Sequence, residues 1–200
     1  AWACRELRSS GVTSATDAWV EPGMPEAYIA AAESGALTID INLFFLAQPD
    51  TWKARSTEFS QFRNEIEALG PSSKLHAKTV KFICDGALSA GTAALLEPYL
   101  DDPNSRGLLI WRDDELLDAM VHFDALGFQI HAHAIGDAAI RQALNAIEAV
   151  TRVNPRWDRR PVIAHAQLIH PDDLPRFASL GVIANIQPLW TYLDPMNAEL

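Results

Sequence analysis

The residues best suited to chemistry lie in Gln129-Ile130-His131-Ala132-His133, an apolar run that leads into Ala134-Ile135-Gly136-Asp137. Side chains at i and i+2 of a strand share a face, so His131 and His133 can point the same way. Two imidazoles on one face at the C-terminal end of a strand are suited to hold a metal ion. A third histidine, His165, tips the next short apolar run, Val162-Ile163-Ala164. A lone strand-end histidine is more often a hydrogen-bonded core residue. Histidines at equivalent places in consecutive βα units are instead brought together by the fold. The expectation is ligation by His165 and at least one of the pair, with His133, nearer the tip, preferred over His131.

Other residues carry two readings each. Lys81 sits inside the apolar run Thr79-Val80-Lys81-Phe82-Ile83, where an unpaired ammonium is costly to desolvate. It is either a snorkelling or ion-paired lysine, with Asp85 as a partner, or a lysine carboxylated by CO2 that serves as an oxygen ligand. Asp85-Gly86 is ordinarily a turn, and Asp137 an ordinary helix cap. Gln187 and Trp190 lie just past the last strand, where with Asp85 they are candidates to contact a substrate. His170 reads as structural at a helix entrance, while His76 and His122 read as surface residues without a visible partner.

The elements that must position these residues alternate. Helical signals cover 5–10, 25–34, 52–69, 112–126, 137–153 and 171–180. Strand signals cover 12–16, 37–46, 79–83, 127–133, 162–164 and 182–186. Ile140, Ala143, Leu144 and Ile147 repeat at i, i+3, i+4 and i+7, a helical stripe. Pro25 opens and Gly35 closes one helix, as terminal signals require, and Asp172 and Asp173 suit the first turn of another. The stretch from Gly86 to Arg112 has little periodicity, and long ordered loops of this kind are often functional. Such alternation predicts parallel strands joined by right-handed crossovers, and the uniformly short apolar strands suit a sheet buried on both faces. A doubly wound sheet and a (β/α)8 TIM-type barrel both satisfy that. The barrel is preferred because the polar residues fall at strand C-termini, where such barrels place their chemistry. The absence of a Gly-x-Gly-x-x-Gly after any strand argues against nucleotide binding.

Composition narrows the class further. Two hundred residues, 48% hydrophobic, can bury the core of one domain, expected to span residues 1–200. A net charge of −10 disfavours nucleic acid, whose phosphates need clustered Lys and Arg. No run approaches the 18 apolar residues of a membrane span, and no signal-peptide pattern is present. Two cysteines are too few for a disulfide framework, which fits a cytoplasmic setting. The first residues read as a helix entered midway.

The segments VKFICDGALSAGTAALLEPYLD, HAHAIGDAAIRQAL and IAHAQLIHPDDLPRFASLGVIANIQP resemble the amidohydrolase superfamily. More narrowly, they resemble amidohydrolase family 3, the YtcJ-like metal-dependent hydrolases. The resemblance implies a TIM-type barrel with one or two divalent metal ions, usually zinc, at its C-terminal face. It makes Lys81 the bridging carboxylated lysine, His133 the fifth-strand ligand and His165 the sixth-strand ligand, with His131 beside the centre. It also implies that this chain is an incomplete barrel of about six βα units, strands 2 to 7. The family's first-strand His-x-His and eighth-strand Asp are then expected outside it. Arginines common in the family near Gly91 and Ala138 are absent.

The expected function is hydrolysis of C–N bonds in a small-molecule, non-peptide amide by a metal-activated water. Deamination or ester hydrolysis on the same fold, and a non-catalytic structural unit, are the alternatives. Unpaired sheet edges lead us to expect a homo-oligomer.

Overall fold

The structure, a computed structural model, describes residues 2–191. Strands and helices alternate as the hydrophobic pattern predicts: α1 Trp2–Ser9, β1 Ser14–Val20, α2 Met24–Glu33, β2 Asp40–Ala47, α3 Trp52–Ala68, β3 Leu75–Ile83, α4 Asp113–Ala125, β4 Gln129–Ala134, α5 Asp137–Val153, β5 Val162–His165, α6 Leu174–Leu180 and β6 Ile183–Asn185. The six strands hydrogen-bond as neighbours in chain order. The β1–β2, β4–β5 and β5–β6 ladders are parallel, an α/β arrangement of the kind found in TIM-like barrels. Contacts divide the chain into two compact units, Ala1–Lys81 and Phe82–Leu200.

In the first unit, β2 alternates in burial at its start and is solidly buried at its end, matching the shift from Asp40-Ile41-Asn42 to Phe45-Leu46-Ala47. Phe45 stacks on Phe59 of α3 at 4.9 Å. Strand β3 starts at Leu75, four residues before the expected start, because Leu75 and Ala77 are buried between His76 and Lys78 in a strand's two-residue period. His76 has a partner after all: its Nε2 lies 3.2 Å from Asp40 Oδ1.

In the second unit, Phe82, Trp111, Phe123 and Phe128 form a chain of ring contacts at 5.6–6.1 Å. Helix α5 buries Ile140, Ala143, Leu144 and Ile147, the stripe its spacing predicts. The link from α5 to β5 is tied down by Asp124, which is 2% exposed. It accepts from Arg159 Nε at 2.7 Å, Asn154 Nδ2 at 2.9 Å and Trp157 Nε1 at 3.0 Å.

Two expectations fail here. Helix α6 begins at Leu174, so its first turn holds no acidic residue. Asp173 instead binds Arg141 Nε at 2.8 Å and Arg176 Nη1 at 2.9 Å, joining α5 to α6. Strand β6 is exposed throughout, because among the described residues it pairs on one side only.

Candidate metal centre

Strand β4 is buried almost end to end. Ala132 and Ala134 are fully covered, His131 is 5% exposed, and only Gln129 at the start and His133 near the tip open partly. Its register with β5 pairs His133 with Ala164 and Ala134 with His165. Residues paired across a ladder project to the same face. By strand parity alone, His165 would therefore point away from His133. The backbone corrects this. His165 has φ 75° and Ala166 has φ 45°, left-handed conformations that cost side-chain-bearing residues roughly 1–3 kcal/mol each. With the pleat broken there, the two imidazoles meet edge to face at 4.6 Å between ring centroids.

Each ring is held by an oxygen. His133 Nε2 lies 3.0 Å from the carbonyl oxygen of Gly86 and 3.4 Å from Asp85 Oδ1. A carbonyl only accepts, so that nitrogen donates, and in the neutral ring the lone pair belongs to Nδ1. His165 Nδ1 lies 2.8 Å from Gln187 Oε1, and Trp190 stacks on the same ring at 5.0 Å with a 15° interplanar angle.

Asp85 is 1% exposed, and its carboxylate is occupied by main chain. Oδ1 accepts from Ile135 N at 3.0 Å, and Oδ2 accepts from Gly136 N at 2.8 Å and Ala94 N at 3.0 Å. Burial pushes this carboxyl up, against the three amides, which pull it down. Asp137 is not a cap: its Oδ1 accepts from Leu96 N at 2.8 Å, while Gly136 stands at the N-cap position. The loop after β3 is thus clamped by carboxylates on both sides. Leu88, Ala93 and Tyr99 of this loop form a small apolar cluster with Ile135. Gly136 lets it approach, since a Cβ there would sit 2.0 Å from Ala94 O.

Two imidazoles can share one ion if each nitrogen reaches it at about 2.0–2.1 Å, which bounds the centroid separation at roughly 6 Å. The observed 4.6 Å fits, so the donor chemistry suits zinc or a similar divalent cation. Among the described residues no group of three or more His, Cys, Asp or Glu side chains could enclose an ion. Lys81, outside that residue set, is 5% exposed and closes the first unit.

The sequence model described as the amidohydrolase family matches residues 1–199. The chain belongs to the amidohydrolase family. This amidohydrolase-family chain is 32% identical over 163 residues to the Arabidopsis thaliana protein LONG AFTER FAR-RED 3, covering 82% of the chain and 27% of that protein. It is 38% identical over 116 residues to "Putative amidohydrolase YtcJ" of Bacillus subtilis, covering 58% of the chain and 21% of that protein. It therefore spans about a quarter of these relatives' length. An uncharacterized metal-dependent hydrolase from Pyrococcus furiosus superposes with a TM-score of 0.74 at 27% identity, covering 94% of this chain and 37% of that one. No helix among the described residues is long and apolar enough to cross a membrane.

Sequence reasoning on this amidohydrolase-family chain found the imidazole pair but missed its supports. The clamp by Asp85 and Asp137 acts on backbone amides, which have no residue signature. The Gln187–His165 contact joins β5 to the segment after β6, although both residues stood out as polar groups at strand ends.

Proposed function

We propose that this chain contributes the central part of a metal-dependent hydrolase that cleaves C–N bonds of small, non-peptide amides. Its six strands would then correspond to strands 2 to 7 of an eight-stranded barrel. The observation that carries the reading is the meeting of His133 and His165 at the C-terminal ends of adjacent parallel strands, 4.6 Å apart. In this reading His133 and His165 bind the ion. His131, one pleat earlier and buried, backs the site. A divalent cation bound there supplies Lewis acidity toward a carbonyl and makes water a nucleophile near neutral pH. Asp85 holds the loop that carries the Gly86 carbonyl against His133. Trp190 offers an aromatic face beside His165, and Gln187 a polar side chain, for substrate to meet.

Zinc titration of the chain and of His133→Ala and His165→Ala, beside turnover assays on simple N-acyl substrates, tests this. We expect weak zinc binding that either substitution abolishes. We also expect negligible turnover by the 200 residues alone, because the described residues add no third His, Cys, Asp or Glu to the pair. Equal zinc affinity in all three proteins refutes the ligand assignment.

A further inference from the structure

His165 has left the strand conformation, with φ 75°. The pleat therefore no longer dictates where its ring points, and other contacts must do so. Besides the edge-to-face contact with His133, two come from the segment that follows β6. Gln187 Oε1 meets Nδ1 at 2.8 Å, and the Trp190 indole lies nearly parallel to the ring at 5.0 Å. The stack limits rotation about the ring's own axis, and the hydrogen bond selects a nitrogen. An unconstrained neutral imidazole favours its proton on Nε2. An amide oxygen facing Nδ1 reverses that preference, because it can only accept.

We propose that Gln187 is a positioning residue: it holds His165 as the Nδ1–H tautomer, so that Nε2 carries the lone pair that faces an ion. His133 is held in the opposite sense, its Nε2 donating to the Gly86 carbonyl at 3.0 Å. The pair thus presents unlike nitrogens, one fixed by main chain and one by a side chain. The main-chain carbonyl cannot exchange acceptor for donor. The Gln187 amide can, by a half-turn that would put its NH2 against Nδ1 and move the ring proton to Nε2. The structure has the oxygen inward, and outer partners of this kind typically tune metal affinity by about 10- to 100-fold. The proposal rests on the metal-centre reading for its consequence, although the tautomer itself does not.

The test is long-range 1H–15N correlation of the labelled 200-residue chain at pH 8 without metal, followed by zinc titration. His165 is expected to show its proton on Nδ1 and His133 on Nε2. Gln187→Leu is expected to move the His165 proton to Nε2, leave the His133 signals in place as proof of folding, and weaken zinc binding about 10- to 100-fold. Gln187→Glu, which keeps an acceptor oxygen, is expected to restore both the tautomer and the affinity. A wild-type His165 protonated on Nε2 overturns the proposal. So does a Gln187→Leu chain with unchanged tautomer or unchanged zinc affinity. His165→Ala separates the two claims: if it binds zinc like wild type, the metal reading fails. If it binds weakly while Gln187→Leu does not, only the positioning role fails.

Discussion

Gly136→Ala is a direct test of the clamp that frames the histidines. The backbone at Gly136 has φ −76° and ψ 153°, ordinary extended values that any residue adopts. The substitution therefore adds a methyl group and nothing else. That methyl would lie 2.0 Å from Ala94 O and 2.6 Å from Ala94 C, and main chain cannot rotate aside as a side chain can. The 94 peptide must retreat by about 1 Å or more to reach any contact that Cβ atoms tolerate. It is held by Ala94 N donating to Asp85 at 3.0 Å and by Ala138 N donating to Ala94 O at 3.1 Å. Losing the first, a bond to a buried carboxylate, costs about 1.5–3 kcal/mol, and losing the second about 0.5–1.5 kcal/mol. The smaller entropy of the unfolded alanine chain returns about 0.4–1 kcal/mol. The expected loss is about 1–4 kcal/mol in urea unfolding followed by circular dichroism, with faster amide exchange at Ala94 and Leu96. A Gly136→Ala chain within about 0.5 kcal/mol of wild type, with unchanged exchange at those amides, would show that the close approach does not hold the loop.

Two further buried acids of the second unit, Asp173 and Asp124, give further tests. Asp173→Asn should destabilise by about 2–3 kcal/mol at pH 7, less than the 3–5 kcal/mol of a fully buried pair, because Arg141 and Arg176 are partly exposed. Burial raises the Asp173 carboxyl, but Arg176 and Arg141 outweigh it and hold it below its ordinary value. Its stabilisation is therefore complete above the unfolded-state pKa of about 4 and is lost as pH falls through the lower folded value. Urea unfolding at pH 7 and pH 3 should show that acid loss in wild type and a smaller one in the variant. Asp124→Asn strips the charge facing Arg159, which is 11% exposed, and should cost about 3–5 kcal/mol, with a red shift of Trp157 fluorescence. Wild-type stability would refute the role of that carboxylate as the anchor of the α5–β5 link.

The order of elements was legible because burial imposes a period on sequence: Ile140, Ala143, Leu144 and Ile147 had to form a helix face, and all four are buried. The start of α6 was not, because Asp172 and Asp173 suit a helix N-terminus and a buried ion pair equally, and only Arg141, some thirty residues earlier, decides between them. The site divides along the same line. That His133 and His165 belong together follows from their equivalent places at the tips of consecutive strands. How they come together does not, since the register sets His165 opposite Ala134 and would aim it at the wrong face. The left-handed turn at His165 and Ala166 that corrects the aim occupies two residues with no glycine to announce it. A glycine at 166 would relax the turn locally and leave the His165 ring less determined. With side-chain-bearing residues there, the strained conformation has to be held from outside. The hydrogen bond from His165 to Gln187 and the stack on Trp190 lie where such support is needed. The segment after β6 is thus part of the site's construction as well as a neighbour in sequence, and the strain at His165 is the physical reason.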